Sequence, residues 1–133
     1  MIQEAIPFLM FQGEAGPALE FYATALERFE LLNIEYWGPG EAAPEGQVKS
    51  ADFAVAGQRF RCFDSPPVHA FDFTPSFSIF LECDRQEDVD ELAATLGAGG
   101  KTMMPPDDYG FSPRFAWVSD RFKVSWQINF VAG

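Results

Sequence analysis

The order of secondary-structure elements repeats within this chain, and that repetition constrains the fold more than any other feature of the sequence. Residues 50–61 read SADFAVAGQRFR and residues 112–123 read SPRFAWVSDRFK, and the two stretches carry the same residue at five positions. Each has the apolar strand, polar turn and second strand that are typical of a β-hairpin. Further upstream, PFLMFQ (residues 7–12) resembles FSIFLE (residues 77–82), and both predict strands.

A helical pattern follows each of these first strands. The spacing of apolar residues predicts one helix in PALEFYATALERF (residues 17–29) and a second in QEDVDELAATLGAGG (residues 86–100). Pro17 suits the first turn of the first helix. Asp84 is the predicted N-cap of the second helix, because Glu87 stands three residues later.

One more strand completes each half of the chain, in FELLNIEYW (residues 29–37) and in the weaker KTMM (residues 101–104). Each half therefore reads β-α-β-β-β. We predict a single α+β domain made of two repeats, a first unit at residues 1–65 and a second at residues 76–133, joined by a linker at residues 66–75.

The composition excludes several classes of protein. Hydrophobic residues make up 47% of the 133 positions, which argues against disorder. A net charge of -11 argues against nucleic acid and anionic membranes as partners. No apolar run approaches the roughly 20 residues of a membrane helix, and the N-terminus MIQEAIPF lacks signal-peptide features, so we expect a cytoplasmic protein. Cys62 and Cys83 lie in apolar strands, and we expect buried free thiols.

Several stretches resemble one known family. The chain is similar to the vicinal oxygen chelate superfamily, which includes glyoxalase I, bleomycin-resistance proteins and extradiol dioxygenases, and within it to the PhnB-like branch. The resemblance covers nearly the whole chain and rests on IPFLMFQG with EFY further on, GQRFRCFDS followed by HAFDF, SFSIFLECD, and DRFKVSWQI. The last of these is the most specific, although Lys123 stands where the family usually has a Gly.

The resemblance implies the glyoxalase/bleomycin-resistance/dioxygenase fold, in which two βαβββ units form a curved mixed sheet with the helices on its outer face. It also implies a homodimer. This branch is often labelled 3-demethylubiquinone-9 3-methyltransferase. A pocket for S-adenosylmethionine usually lies at a glycine-rich turn between a parallel strand and a helix, and we predict no such strand, turn and helix here.

The metal site of the superfamily is not expected in this chain. Metal-using relatives hold a divalent ion with His, Glu or Gln side chains on the first and last strands of each unit. Those positions fall near Pro7, Ser65, Phe77 and Gln127. Only Gln127 could serve as a ligand, and a shift of one residue adds only Asp64. We therefore predict no bound metal and no cofactor.

Gln127 is instead predicted to line an apolar cleft. Side chains alternate between the faces of a strand, so Ser125 and Gln127 share one face while Trp126 and its neighbours pack under the helices. The first strands would add apolar side chains to the cleft, namely Pro7, Leu9, Phe11, Phe77, Ile79 and Leu81. The predicted ligand-binding residues are Gln127, Ser125, Phe63, Ser65, Phe77 and Phe11. The alternative is that Gln127 is a satisfied amide in a filled core, or an exposed one.

Other candidates for chemistry are weaker. His69 is the only histidine, and the carboxylates of Asp64 and Asp72 nearby in sequence make it a candidate general base. Arg59 and Arg61 could meet an anion, or make the edge of a sheet soluble.

Three functions remain open at this stage. The first is a metal-free protein that binds a small apolar or aromatic molecule in the cleft. The second is an enzyme of the glyoxalase or dioxygenase type with a displaced metal site. The third is a structural or regulatory dimer without a ligand. The sequence does not decide whether the protein is an enzyme.

Overall fold

A computed structural model describes residues 1–132, which fall into two compact units that divide after residue 72. Each unit has the element order β-α-β-β-β, which confirms the predicted α+β fold. The boundary between the units lies inside the predicted linker at residues 66–75. No helix within residues 1–132 is long and apolar enough to cross a membrane.

The first unit is a four-stranded mixed sheet with one helix. Its elements are β1 (Phe8–Phe11), α1 (Ala15–Ala25), β2 (Phe29–Tyr36), β3 (Val48–Val55) and β4 (Gln58–Asp64). The strand order is β1-β4-β3-β2, with β1 parallel to β4 and the other pairs antiparallel. The last strand of the unit therefore lies inside the sheet, beside the first.

The second unit repeats this arrangement. Its elements are β5 (Ser78–Cys83), α2 (Gln86–Gly97), β6 (Lys101–Asp107), β7 (Phe115–Ser119) and β8 (Ser125–Phe130). The strand order is β5-β8-β7-β6, and β5 runs parallel to β8. Strand β6 includes Pro105 and Pro106, which an edge strand tolerates because one side of it makes no ladder hydrogen bonds.

The core of the first unit lies between α1 and one face of its sheet. Tyr22 of α1 and Phe53 of β3 are both 1% exposed, and their ring centroids are 6.5 Å apart. Phe60 stacks on Phe53 at 5.3 Å. Leu9 pairs in register with Cys62, and both side chains are buried on this face. The sheet is thus half-buried, with its other face open.

The core of the second unit lies under α2. Trp126, Ile128 and Val118 are completely buried, and they alternate with more polar neighbours along β7 and β8. A Cβ added at Gly97 of α2 would lie 3.4 Å from Val118 Cγ1, which identifies this face as the one that the helix covers. At Gly100 an added Cβ would lie 2.0 Å from the carbonyl oxygen of Ser119, so the close approach after α2 requires a glycine.

Two predicted local features need correction. The N-cap of α2 is Arg85 rather than Asp84, and no side chain caps it. The similarity between residues 50–61 and 112–123 is not a structural alignment, because residues 59–61 lie in β4 whereas residues 121–123 lie in the turn before β8. Pro17 does lie in the first turn of α1, as predicted.

Candidate functional site

The open face of the second unit is the face of its sheet opposite α2. The strand register places its side chains in rows across β5, β8 and β7. One row consists of Ser78, Ser125 and Ser119, the next of Phe80, Gln127 and Trp117, and the last of Glu82, Asn129 and Phe115. Gln127 therefore lies between two aromatic residues, with Phe80 on one side and Trp117 on the other.

A chain of hydrogen bonds crosses this face. Trp117 Nε1 donates to Ser125 Oγ at 2.8 Å, and the hydroxyls of Ser125 and Ser78 are 2.7 Å apart. Gln127 Nε2 donates to Ser78 Oγ at 3.2 Å. These contacts fix the orientation of the Gln127 amide. Within residues 1–132, no hydrogen bond uses Gln127 Oε1.

An aromatic cluster borders this polar strip. Phe115 is 3% exposed, and its ring centroid lies 4.9 Å from that of Phe111, 6.1 Å from that of Tyr109 and 6.4 Å from that of Phe80. Phe80 is 51% exposed and Phe111 is 66% exposed. Tyr109 and Phe111 belong to the loop between β6 and β7, which folds against the open face of the same unit.

The prediction of which side chains of the first strands lie on the open face is wrong by one residue. Ile79 and Leu81 pair in register with Trp126 and Ile128, so they lie on the helix-covered face and not beside Gln127. Phe77 precedes β5 and has no place in the register beside Gln127. The residues of β5 that share a face with Gln127 are Ser78 and Phe80. Alternation within SFSIFLEC carried this signal, because Ile79, Leu81 and Cys83 form the apolar series.

The same correction applies in the first unit. Phe11 and Leu9 are 4% exposed, and they share the buried face with Asp64 and Cys62. Phe11 is therefore part of the core there and not of the open face. Phe63 does lie on the open face of its sheet, where Phe8 stacks on it at 4.9 Å with 60% of Phe8 exposed.

The register identifies the residue of the first unit that is equivalent to Gln127. Leu9 pairs with Cys62 in the first unit, as Ile79 pairs with Trp126 in the second. Phe63, one residue after Cys62, is therefore equivalent to Gln127. Ser65 lies beyond the end of β4, is 2% exposed, and donates its hydroxyl to the carbonyl oxygen of Pro66 at 2.9 Å. This hydroxyl already has a partner within the chain.

The donor chemistry does not fit the metal site of the superfamily. The open-face positions of the first and last strands hold Phe8 and Phe63 in one unit, and Ser78 and Gln127 in the other. Two phenyl rings cannot coordinate an ion, and a hydroxyl and an amide are weak neutral donors. Among residues 1–132 there is no group of three or more His, Cys, Asp or Glu side chains placed to hold a metal.

His69 lies on the surface of the first unit. Its ring centroid is 4.9 Å from that of Phe71, and the side chain is exposed. Asp64 is not available as its carboxylate partner, because Gly13 N and Ala15 N donate to Asp64 Oδ1 at 2.8 and 2.9 Å, and Val48 N donates to Oδ2 at 2.9 Å. The role of Asp64 is to join the start of α1 to β3.

The contact of Asp64 with the start of α1 also concerns the methyltransferase label, which would require a site for S-adenosylmethionine. A strand, a glycine-containing turn and a helix do occur at β1, Gly13 and α1, with β1 in a parallel pair, contrary to our prediction from sequence. The amides of Gly13 and Ala15 are the donors that such a turn offers to an anionic ligand. Both of them already bind the carboxylate of Asp64, so the chain itself occupies this anion site.

Arg59 and Arg61 both form ion pairs with Asp52. Arg61 Nε lies 2.7 Å from Asp52 Oδ1, and Arg59 Nη2 lies 2.8 Å from Oδ2. The hydrogen bond from Arg61, with that from Arg59, holds the pKa of Asp52 below its usual value against the opposing effect of burial. Strand β4 lies inside the sheet, so the arginines do not protect an edge as predicted.

Comparisons with known proteins agree with this architecture. The profile of the family described as 3-demethylubiquinone-9 3-methyltransferase matches residues 3–129. The PhnB protein of Bacillus cereus is 36% identical, with a TM-score of 0.91 over 97% of this chain and 100% of that one. Protein YjdN of Escherichia coli K12 is 24% identical over 94% of this chain and 93% of its own length.

A more distant likeness concerns the fold alone. A glyoxylase/bleomycin resistance protein/dioxygenase domain from Frankia is 12% identical, with a TM-score of 0.68 over 98% of this chain and 93% of that domain. The paired βαβββ units and the family profile lead to one assignment. The chain belongs to the 3-demethylubiquinone-9 3-methyltransferase family and is PhnB-like.

Proposed function

We propose that this PhnB-like protein binds a small apolar or aromatic molecule on the open face of the second unit, without the metal site of its superfamily. The observation that carries the proposal is the placement of Gln127 beside the exposed ring of Phe80. The amide is oriented by Ser78, and its Oε1 is unused within residues 1–132. A few oriented polar groups among aromatic side chains are typical of small-molecule sites.

The exposed aromatic surface supports an apolar ligand. Phe80 and Phe111 are 51% and 66% exposed, although each contributes to the cluster around Phe115. Covering such rings with a planar molecule removes apolar area from water and allows stacked or edge-to-face contacts. Ser125 is 2% exposed, so its role in this proposal is to support Ser78 rather than to touch the ligand.

The first unit offers a second aromatic surface. Phe8 and Phe63 stack on its open face, so Phe63 belongs to this second candidate surface and not to the one around Gln127. Ser65 and Phe11 have lower priority, because both are almost fully buried. Phe77 is 55% exposed but lies outside the row of Gln127, which makes it a useful control.

Ligand-observed NMR with naphthalene and indole tests the proposal, and cyclohexanol serves as a non-aromatic comparison. We expect saturation transfer to the aromatic probes in the wild type. Phe80→Ala should weaken binding by roughly tenfold, since truncating a contacting aromatic ring costs on the order of 1–2 kcal/mol. Phe77→Ala, which removes a similarly exposed ring, should leave binding unchanged.

The two variants discriminate between assignments of the site. Loss of binding in Phe77→Ala but not in Phe80→Ala would return the site to the residues first predicted from sequence. Failure of every aromatic probe to bind the wild type would refute the proposed function.

We also propose a homodimer, as the family resemblance implies, and a location in the cytoplasm, as the sequence composition favours. Leu31, Leu32 and Tyr36 on the edge strand β2 are 45%, 46% and 57% exposed, which supports an interface on the first unit. Light scattering coupled to size-exclusion chromatography tests this: a mass near twice 14.8 kDa supports the dimer, and a monomeric mass at micromolar concentration refutes it.

A further inference from the structure

The hydrogen bonds on the open face of the second unit determine which polar group a ligand can present. The Nε1 of Trp117 is a donor only, and it donates to Ser125 Oγ. Ser125 is 2% exposed, and the remaining partner of its hydroxyl is Ser78 Oγ at 2.7 Å. A buried hydroxyl hydrogen without an acceptor is unfavourable, so Ser125 donates to Ser78.

Ser78 then accepts two hydrogen bonds, one from Ser125 and one from Gln127 Nε2. A serine hydroxyl has two acceptor lone pairs and one hydrogen, so its own hydrogen remains available. Gln127 Oε1 also remains available within residues 1–132. Next to the exposed ring of Phe80, the face therefore offers a donor at Ser78 and an acceptor at Gln127.

We infer that the ligand is an aromatic alcohol, a neutral molecule of the phenol class. Its hydroxyl donates to Gln127 Oε1 and accepts from Ser78 Oγ, while its ring covers Phe80. A single hydroxyl satisfies both groups because it is donor and acceptor at one atom. This inference rests on the proposed function and narrows it from aromatic or apolar molecules in general to one chemical class.

Charge favours the neutral form of such a ligand. Glu82 lies on the same open face, one row from Gln127, and the chain carries a net charge of -11. An anionic carboxylate or sulfonate would be repelled. A phenol is neutral at pH 7, because the pKa of an unperturbed phenolic hydroxyl is about 10.

The test compares 2-naphthol with 2-methoxynaphthalene, which has the same rings and an oxygen that cannot donate. Dissociation constants come from NMR titration of the intact protein. We expect wild type to bind 2-naphthol roughly threefold to tenfold more tightly, as expected for a neutral hydrogen bond that the ether lacks. In Gln127→Met this preference should disappear, while the affinity for 2-methoxynaphthalene stays within about twofold.

Ser78→Ala tests the positioning role of the serine, with Ser76→Ala as its matched control in the preceding loop. Among the described residues 1–132, Ser76 pairs only with Thr74 and lies outside the network. The ratio of the two affinities should fall in Ser78→Ala and not in Ser76→Ala, a readout that a loss of fold would not produce. Circular dichroism confirms that each variant is folded.

The outcomes separate the two proposals. Equal binding of both probes to the wild type, or tighter binding of 2-methoxynaphthalene, would overturn the aromatic-alcohol inference and leave the aromatic site standing. A preference that persists in Gln127→Met would also overturn it. Binding of neither probe would refute both this inference and the proposed function.

Discussion

Trp126 Nε1 donates to Asp120 Oδ2 at 2.9 Å, so the most deeply buried aromatic side chain of the second unit is tied to the turn that precedes its strand. The other carboxylate oxygen accepts from Phe122 N and Val124 N at 2.8 and 3.1 Å. One aspartate thus shapes the turn between β7 and β8 and fixes the indole beneath α2. The stretch DRFKVSWQ contains both partners of this contact, and Gln127 directly follows the anchored Trp126.

Asp120→Ala should destabilise the protein by about 3 kcal/mol, because it removes the carboxylate that accepts from a buried indole N–H and from two backbone N–H groups. Urea unfolding followed by tryptophan fluorescence measures the change. Asp108→Ala is the matched control, since the exposed Asp108 carboxylate accepts from Gly110 N alone in the part of the chain that the structure describes. That variant should lose less than about 1 kcal/mol. Equal losses in both variants would contradict the role assigned to Asp120.

Lys123→Gly should stabilise the protein by about 1 kcal/mol. Lys123 has φ 72°, a left-handed conformation that costs an L-residue with a Cβ about 1–2 kcal/mol and that glycine adopts readily. Part of the gain is offset by the greater freedom of glycine in the unfolded chain. The midpoint of thermal unfolding should rise. The control Lys101→Gly, at an exposed strand position, should lower the midpoint. A lower midpoint in both variants would contradict backbone strain at Lys123.

The element order could be predicted from sequence because helical and strand periodicities differ and the order occurs twice. The faces of the first strands could not be predicted from apolar content alone, since Phe77 and Phe80 are both apolar and both exposed. The alternation of Ile79, Leu81 and Cys83 indicates the faces of β5, and the pairing of Phe80 with Gln127 agrees with it. The hydrogen bond from Ala15 N to Asp64 could not be predicted either, because 49 residues separate the two along the chain.

The polar network around Gln127 can also be predicted from sequence only in part. Gln127 was identified as a candidate from its position in a strand that resembles the last strand of relatives. Trp117 and Ser78 were not, because the register that joins them to Gln127 depends on long-range pairing of β5, β7 and β8. Contacts of this kind arise from topology and have no local sequence signal.

Acid should remove the contribution of Asp52 to stability. Its pKa in the folded state is depressed, chiefly by the hydrogen bond from Arg61. A depressed carboxyl pKa stabilises the fold above the unfolded value of about 3.9, and this stabilisation is lost as the pH falls through the lower folded value. Urea midpoints of wild type and Asp52→Asn should therefore differ by a constant amount above about pH 5 and converge at lower pH.

A second pair of variants checks the cause of that pH dependence. In an Arg61→Gln background the largest contribution to the shift is absent, so adding Asp52→Asn should change the pH profile less than it does in the wild-type background. If Asp52→Asn changes the pH profile equally in both backgrounds, a group other than Arg61 lowers the pKa of Asp52.

Cys62 and Cys83 should differ sharply in reactivity, although neither forms a disulfide. Burial, with the negative charges of Asp64 and Asp52, raises the pKa of the Cys62 thiol to about 12. Only the thiolate is nucleophilic, so a thiol of that pKa in the core reacts only after the chain opens. In native protein at pH 8, Cys62 should remain unmodified by iodoacetamide, as measured by peptide mass spectrometry, whereas in urea-unfolded protein it should be modified fully.

The second thiol provides a comparison. Cys83 is half-buried, and burial raises the pKa of its thiol, but it should react faster than Cys62 in native protein. A Cys83→Ser variant isolates Cys62, and its rapid native labelling would contradict a closed core beneath α1.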